Sequence, residues 1–256
     1  MYPDFDSLRH LASQTPGPST KMLVVGAGAL GCAAARTLAR EPGVALTLVD
    51  DDRVELSNLQ RQVLYRDDDI GRPKVEAACE ALEREFDATV SGVASRFDAT
   101  TGTALVAGAD IVIDATDDPP TKFLINRLCV EASKPWIYAG VARTSGQWML
   151  VVPGRSACLE CVFPEIPGAA ETAEGCSALG ILAPVAGVVG SMQALVALAF
   201  AANPQRSRPG RLHVYELGGA RSRAVDFPPR ADCFCRAATL PAANTAAAAV
   251  QAAGPR

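Results

Sequence analysis

The stretch Val49-Asp-Asp-Asp-Arg-Val-Glu-Leu-Ser-Asn-Leu-Gln-Arg-Gln62 begins with three carboxylates, Asp50, Asp51 and Asp52, and ends on Asn58, Arg61 and Gln62. A carboxylate at the end of a strand binds ribose hydroxyls. Arginine forks onto two phosphate oxygens, and lysine meets phosphate as a point charge. Lys74, one of only four lysines in the chain, follows in Gly-Arg-Pro-Lys. An acidic pole and a cationic pole so close in sequence suit a nucleotide whose phosphates react. Hydride transfer from a nicotinamide would use Asp50 and leave the donors idle.

A glycine motif precedes this stretch. Gly26-Ala-Gly28-Ala-Leu-Gly31 fits G-x-G-x-x-G. Gly26 serves the tight turn, Gly28 the close approach of backbone to phosphate, and Gly31 the helix–strand packing. The helix that follows presents free N–H groups to an anion. Further on, Asp114-Ala-Thr-Asp117-Asp118 closes an apolar run. Asp117 there is a candidate Mg²⁺ ligand beside a triphosphate, where the ion would neutralise charge on departing pyrophosphate. ATP and Mg²⁺ are the expected ligands of this half.

Cys158-Leu-Glu-Cys161 and Cys233-Phe-Cys235 form two close thiol pairs. Four thiolates suit a closed tetrahedral Zn²⁺ site of structural type, with reduced, metal-free cysteines as the alternative. Cys32, Cys79 and Cys129 fall on expected helices and read as core residues. His10 and His213 lie outside every motif.

The elements that must position these residues are legible from periodicity. Apolar runs at 21–26, 45–50 and 110–116 read as buried strands, and 29–40, 71–87 and 119–133 as helices. Pro73 is expected at the first helical position. Strand, helix, strand within about thirty residues makes a βαβ unit that feeds a parallel sheet. After the strand at 135–142 the pattern changes. Gly-Gln-Trp-Met-Leu-Val-Val, Arg-Leu-His-Val-Tyr-Glu and Arg-Ala-Val-Asp read as antiparallel strands. The expected fold class is α/β: a doubly wound, Rossmann-like, mainly parallel sheet with added antiparallel strands near the C-terminus. One domain over 1–236 is expected, with 162–180 an irregular loop and 237–256 a disordered Ala-rich tail.

Residues 181–202 carry no charge and are long enough to span a bilayer. Their Ala, Gly, Gln193 and Pro184 suit a helix buried inside a soluble domain. The N-terminus lacks a signal-peptide core, so the cytoplasm is expected. A net charge of −4 disfavours general nucleic-acid binding.

Taken together, GAGALG, VDDDRVELSNLQRQ, GRPK and DATDD resemble the ThiF/MoeB/HesA-type adenylyltransferases, relatives of the ubiquitin-activating enzymes, over residues 20–236. The resemblance implies ATP-dependent adenylation of the C-terminal carboxylate of a small ubiquitin-like or sulfur-carrier protein ending in Gly-Gly. It implies that Asp50 holds ribose, that Asn58, Arg61 and Lys74 hold and polarise phosphates, and that Asp117 binds Mg²⁺; Asp52 and Gln62 belong to the same expected set. It also implies a homodimer, and sulfur from a separate donor protein. Cys176, before Gly180-Ile-Leu-Ala-Pro184, matches where the family often keeps a reactive cysteine able to accept the acyl group or relay sulfur. The chain departs from the family in three places. The second cysteine pair is CxC. Asp118 follows Asp117 where asparagine is common. The family's arginine-bearing N-terminal segment is replaced by MYPDFDSLRHLASQ, in which Arg9 is the candidate substitute. Alternatives are adenylation of another carboxylate or base (a peptide, a small molecule, a modified tRNA), a non-catalytic scaffold, or an NAD-dependent oxidoreductase.

Overall fold

Thr20–Val25 (β1) is apolar on both faces because both faces are covered. Met22 and Val24 point into one hydrophobic core, and Leu23 and Val25 into another. That two-sided burial follows from the period of two along a strand. The structure, a computed structural model, describes residues 20–166 and 181–237. The expectations for Arg9, His10, most of the irregular loop, Cys176 and the Ala-rich tail lie outside them.

The chain runs β1, α1 (Ala29–Leu38), β2 (Val44–Val49), α2 (Lys74–Phe86), β3 (Thr89–Val93), α3 (Ala99–Gly108), β4 (Ile111–Asp114), α4 (Pro119–Glu131) and β5 (Trp136–Ala142). Then come β6 (Ser145–Val151), a single-turn α5 (Leu159–Val162), α6 (Ala183–Ala202), β7 (Arg211–Glu216) and β8 (Arg221–Asp226). All eight strands form one sheet in the order β3-β2-β1-β4-β5-β6-β7-β8. The first five pair in parallel, and β5 to β8 pair antiparallel. This is the doubly wound sheet with an antiparallel extension that the sequence predicts. The strand order reverses between β1 and β4, which opens a crevice beyond their C-terminal ends.

The uncharged α6 packs against α1 and the antiparallel strands. Small residues permit the approach: a Cβ on Gly190 would sit 2.4 Å from the Leu30 carbonyl oxygen. Gln193 is fully buried and donates from Nε2 to the Asp114 carbonyl at 2.6 Å. A helix that hydrogen-bonds the centre of the sheet is part of the core, despite its membrane-like length and a mean hydropathy of 1.9.

The helix α2 begins at Lys74, so Pro73 is its N-cap rather than its first helical residue. The cause is local. Pro73 bridges Arg53, and the Lys74 N–H donates to the Asp52 carbonyl at 2.9 Å, which keeps Pro73 extended. Between β2 and α2 the chain makes two short 3-10 turns, Leu56–Asn58 and Asp67–Asp69.

Candidate active site at the switch point

The crevice holds a cavity of about 990 Å³. The glycine motif forms one wall, and each glycine has a separate reason. Gly26 has φ of +98°, and a Cβ there would lie 2.7 Å from the Ala115 carbonyl oxygen. A Cβ on Gly31 would lie 1.9 Å from the Gly26 carbonyl oxygen. At Gly28 the nearest atom to a built Cβ is Gln62 Nε2 at 3.9 Å, so the space above it stays open to a ligand. Tyr65, buried, donates to the Ala27 carbonyl at 2.7 Å and braces this turn from below.

Asp50 ends β2 and links the two loops. Its Oδ2 accepts from the Ala27 N–H at 2.6 Å and its Oδ1 from the Asp52 N–H at 2.8 Å. Burial raises its carboxyl pKa above the usual range, against the opposing pull of the Ala27 N–H and Lys74. Lys74, buried, pairs with Asp52 Oδ2 at 2.7 Å. A lysine held this way faces the cavity at a fixed place with its charge partly balanced by an exposed carboxylate.

Asn58 is buried and caps its own turn: its side-chain oxygen accepts from the Glu55 N–H at 3.2 Å. Arg61 donates from Nη1 to the Ser57 carbonyl at 2.9 Å while lining the cavity. Gln62 is buried, and among the described residues nothing donates to its Oε1. A buried acceptor without a donor is costly unless a ligand supplies one. Such a donor fits a nucleotide hydroxyl or amino group over the glycine turn.

The two aspartates after β4 have different uses. Asp118 is the N-cap of α4 and accepts from the Thr121 N–H at 3.0 Å. Asp117 is exposed to the cavity and makes no hydrogen bond among the described residues. Its carboxylate is uncommitted, as a divalent-cation ligand must be.

Sequence reasoning passed over Lys122. This lysine is buried beneath the same loop. Its Nζ donates to Asp114 Oδ1 and Oδ2 at 3.2 and 3.0 Å, to the Thr116 carbonyl at 2.6 Å and to the Ala139 carbonyl at 2.7 Å. It thereby ties the ends of β4 and β5 to the turn that carries Asp117. The available signal was a lysine among apolar residues of a helix, eight positions after a strand-end aspartate. Tyr138 and Gln147 were also passed over. Gln147 Nε2 donates to Tyr138 Oη at 2.7 Å, and both line the far end of the cavity.

Cys158, Cys161, Cys233 and Cys235 do not themselves line the cavity, which Leu159 and Phe163 beside them do; the four sulfurs lie within 4.8 Å of one another. Cys158 to Cys233 and Cys161 to Cys235 are each 3.5 Å, and Cys158 to Cys161 is 3.9 Å. A tetrahedral Zn²⁺ with bonds of about 2.3 Å separates its sulfurs by about 3.8 Å, so the four thiols fit that ion. The shortened CxC pair still places one sulfur beside each partner of the first pair. The Arg230 N–H, 3.3 Å from Cys161 Sγ, adds a donor to the cluster.

The remaining described thiols, Cys32, Cys79 and Cys129, are held in their protonated form by burial. Burial pushes Cys32 up to about 12 and Cys79 up to about 11, and raises Cys129 as well. His213 stacks on Trp148 at 5.3 Å, and burial lowers its pKa. Cys176 falls outside the described residues.

Comparison with known proteins places this geometry. The ThiF family model matches residues 11–237. The SAMP-activating enzyme E1 of Haloferax volcanii is 36% identical over 234 residues, covering 88% of this chain and 86% of that protein. The molybdopterin-synthase adenylyltransferase of Salmonella typhimurium is 37% identical over 215 residues, covering 83% and 85%. The chain spans 48% of the pig adenylyltransferase and sulfurtransferase MOCS3, with 39% identity. Among solved structures, E. coli MccB with ATP superposes with a TM-score of 0.74 at 25% identity, covering 88% of this chain and 68% of that one. With the glycine turn, the strand-end Asp50 and the donor cluster around one crevice, the chain belongs to the ThiF family.

Proposed function

We propose that the chain activates the C-terminal carboxylate of a small ubiquitin-like or sulfur-carrier protein ending in Gly-Gly, by transferring AMP to it from ATP. The chain is an ATP-dependent adenylyltransferase, the activity its relatives are named for. The observation that carries the reading is the continuity of one cavity. It joins the glycine turn, the donors Arg61 and Lys74, the uncommitted Asp117 and a long end over β5–β6.

In this reading Gly26, Gly28 and Gly31 shape the phosphate turn and Asp50 and Asp52 bound the sugar side. Asn58 shapes the turn that presents Arg61 and Gln62. Arg61 and Lys74 draw charge from the phosphates as the carboxylate attacks the α-phosphorus and pyrophosphate leaves. A carboxylate is ionised near neutral pH, so no general base is needed. The residues must instead position two anions and screen their repulsion. Mg²⁺ held by Asp117 would supply further neutralisation of the leaving pyrophosphate. The Cys176 thiolate or a separate sulfur donor then attacks the acyl carbonyl, so that the acyl group passes to sulfur and AMP leaves. A homodimer and a cytoplasmic location complete the reading. The family assignment sets the oxidoreductase aside.

Labelled pyrophosphate should exchange into ATP only when a Gly-Gly-terminated carrier is present. Cys176→Ala should leave that exchange within about twofold of wild type, since adenylation precedes transfer. Loss of exchange in Cys176→Ala would show that this thiol belongs to the first step. A second reading, adenylation of a peptide terminus, is favoured by the likeness to MccB bound to N-formylated MccA, with a TM-score of 0.76. Exchange supported by short peptides but by no folded carrier would select it.

For the cysteine cluster, we propose Zn²⁺ in a structural role. The protein as purified should hold one zinc per chain by atomic absorption. Cys233→Ser should lose it and lower Tm by roughly 4–20 °C, in line with about 2–5 kcal/mol for loss of a covalent cross-tie. A zinc-free protein of unchanged Tm would leave the cluster as four reduced thiols.

A further inference from the structure

Asn126 is wholly buried and does not line the cavity. It lies on α4, four residues after Lys122 and eight after the N-cap Asp118, so the three stand along one side of the helix. Each ties α4 to a different part of the molecule. Asp118 caps the helix beside Asp117. Lys122 holds the ends of β4 and β5 through Asp114 and the Ala139 carbonyl. Asn126 reaches the knuckle that carries Cys158 and Cys161. Its Oδ1 accepts from the Leu159 N–H at 3.1 Å, and its Nδ2 donates to Glu160 Oε1 at 3.4 Å.

Those two bonds call for an amide, which both accepts and donates. Leu159 is the first residue of the single-turn α5, so its N–H has no partner inside the helix. The N-cap, Cys158, makes no side-chain cap bond, and its sulfur belongs to the thiol cluster. The cap is supplied from α4 instead. Glu160 takes the donor half of the same amide and is forked by Arg127 at 3.0 and 3.4 Å. An aspartate at this position would set a second negative charge against Glu160, and an apolar residue would leave the Leu159 N–H buried and unpaired. On its other side the knuckle is held by Cys233 and Cys235.

The knuckle brings apolar wall to the cavity. Leu159 and Phe163 line it, and Phe163 rests against the Tyr138 ring at 5.9 Å, at the end far from the glycine turn. The nucleotide end is braced elsewhere, by Asp50 on the Ala27 N–H, Tyr65 on the Ala27 carbonyl and Asp52 on Lys74. We propose that Asn126 is a positioning residue for adenylation: it locks the thiol knuckle to α4 and so sets the wall that meets the carboxylate substrate, without setting the nucleotide end. This rests on the adenylation reading and assigns the residue that tunes its substrate fit.

The test measures pyrophosphate exchange with a synthetic twelve-residue peptide ending in Gly-Gly, and ATP binding without peptide by calorimetry. Asn126→Ala should raise the peptide KM at least about tenfold, since a misplacement of about 1 Å can cost a hundredfold. Its Kd for ATP should stay within about twofold of wild type. A purely structural role gives another pattern: kcat and the ATP-binding stoichiometry fall together with the folded fraction, at unchanged KM. That pattern, or an equal loss of ATP affinity, would overturn the inference and leave adenylation standing. Asn126→Asp keeps the acceptor for Leu159 and loses only the bond to Glu160, so it reads the same effect if Asn126→Ala does not fold; its KM should rise as well. Asn126→Asp combined with Glu160→Gln exchanges carboxylate and amide and restores both bonds. The KM should then return to within about threefold of wild type. An exchanged pair that melts near the wild-type temperature and still shows the raised KM would also overturn the inference. No exchange by wild type with this peptide or with any Gly-Gly-terminated carrier would remove the adenylation reading and this inference with it.

Discussion

Replacing Asp117 by alanine should lower carrier-dependent pyrophosphate exchange by at least about a hundredfold, the scale seen when one electrostatic stabiliser is removed from a reacting centre, and leave Tm within about 1–2 °C. Both halves follow from the geometry. The Asp117 carboxylate faces the cavity and bonds to no other described residue, so folding loses nothing when it goes. Its neighbour supplies the control. Asp118 accepts from the Thr121 N–H and hydroxyl as the N-cap of α4. Asp118→Ala should cost about 1 kcal/mol of stability and affect exchange only modestly. The two are adjacent in sequence and identical in type, so the contrast isolates the role of position. Normal exchange in Asp117→Ala, assayed across Mg²⁺ concentrations, would remove this residue from the metal site.

Lys122→Met should be the most destabilising single change in the site. Asp114 is wholly buried and its charge is balanced by the Lys122 ammonium. Removing one partner of a buried pair costs about 3–5 kcal/mol. For a domain of this size that lowers Tm by roughly 6–20 °C. Lys122→Met combined with Asp114→Asn removes both charges together and should recover much of the loss in a thermal melt. Exchange should not recover in step with stability. The Thr116 and Ala139 carbonyls still lack their donor in the double variant, and the turn bearing Asp117 is no longer tied to β5. A double variant that regains full exchange would make Lys122 a structural residue and nothing more.

The fold was readable because its signals are local. A strand buried on both faces needs an unbroken apolar run, and Met22–Val25 is one. The glycine motif needs three residues without Cβ at set spacing, and each proves to be crowded by backbone or open to the crevice. Pro73 misled by one position because a tertiary bridge to Arg53 keeps it extended. Helix α6 looked ambiguous from composition, since a span of the membrane and a core helix share the same residues. Gln193, bonded to the carbonyl of Asp114, assigns it to the core.

The sequence by itself determined the order of strands and helices, the position of the phosphate turn, and the set of residue types able to hold a nucleotide. These depend on spacing within about thirty residues, where chain geometry leaves few options. Only the tertiary structure decided which donors are committed. It separated Asp117 from Asp118, drew Lys74 onto Asp52 and buried Lys122 under the turn that carries Asp117. It also joined two hairpins that lie far apart in sequence, β5–β6 and β7–β8, through the pairing of β6 with β7. Such facts arise from pairing between distant segments. Register and burial are set there by the packing of whole layers, and no stretch of residues carries that information alone.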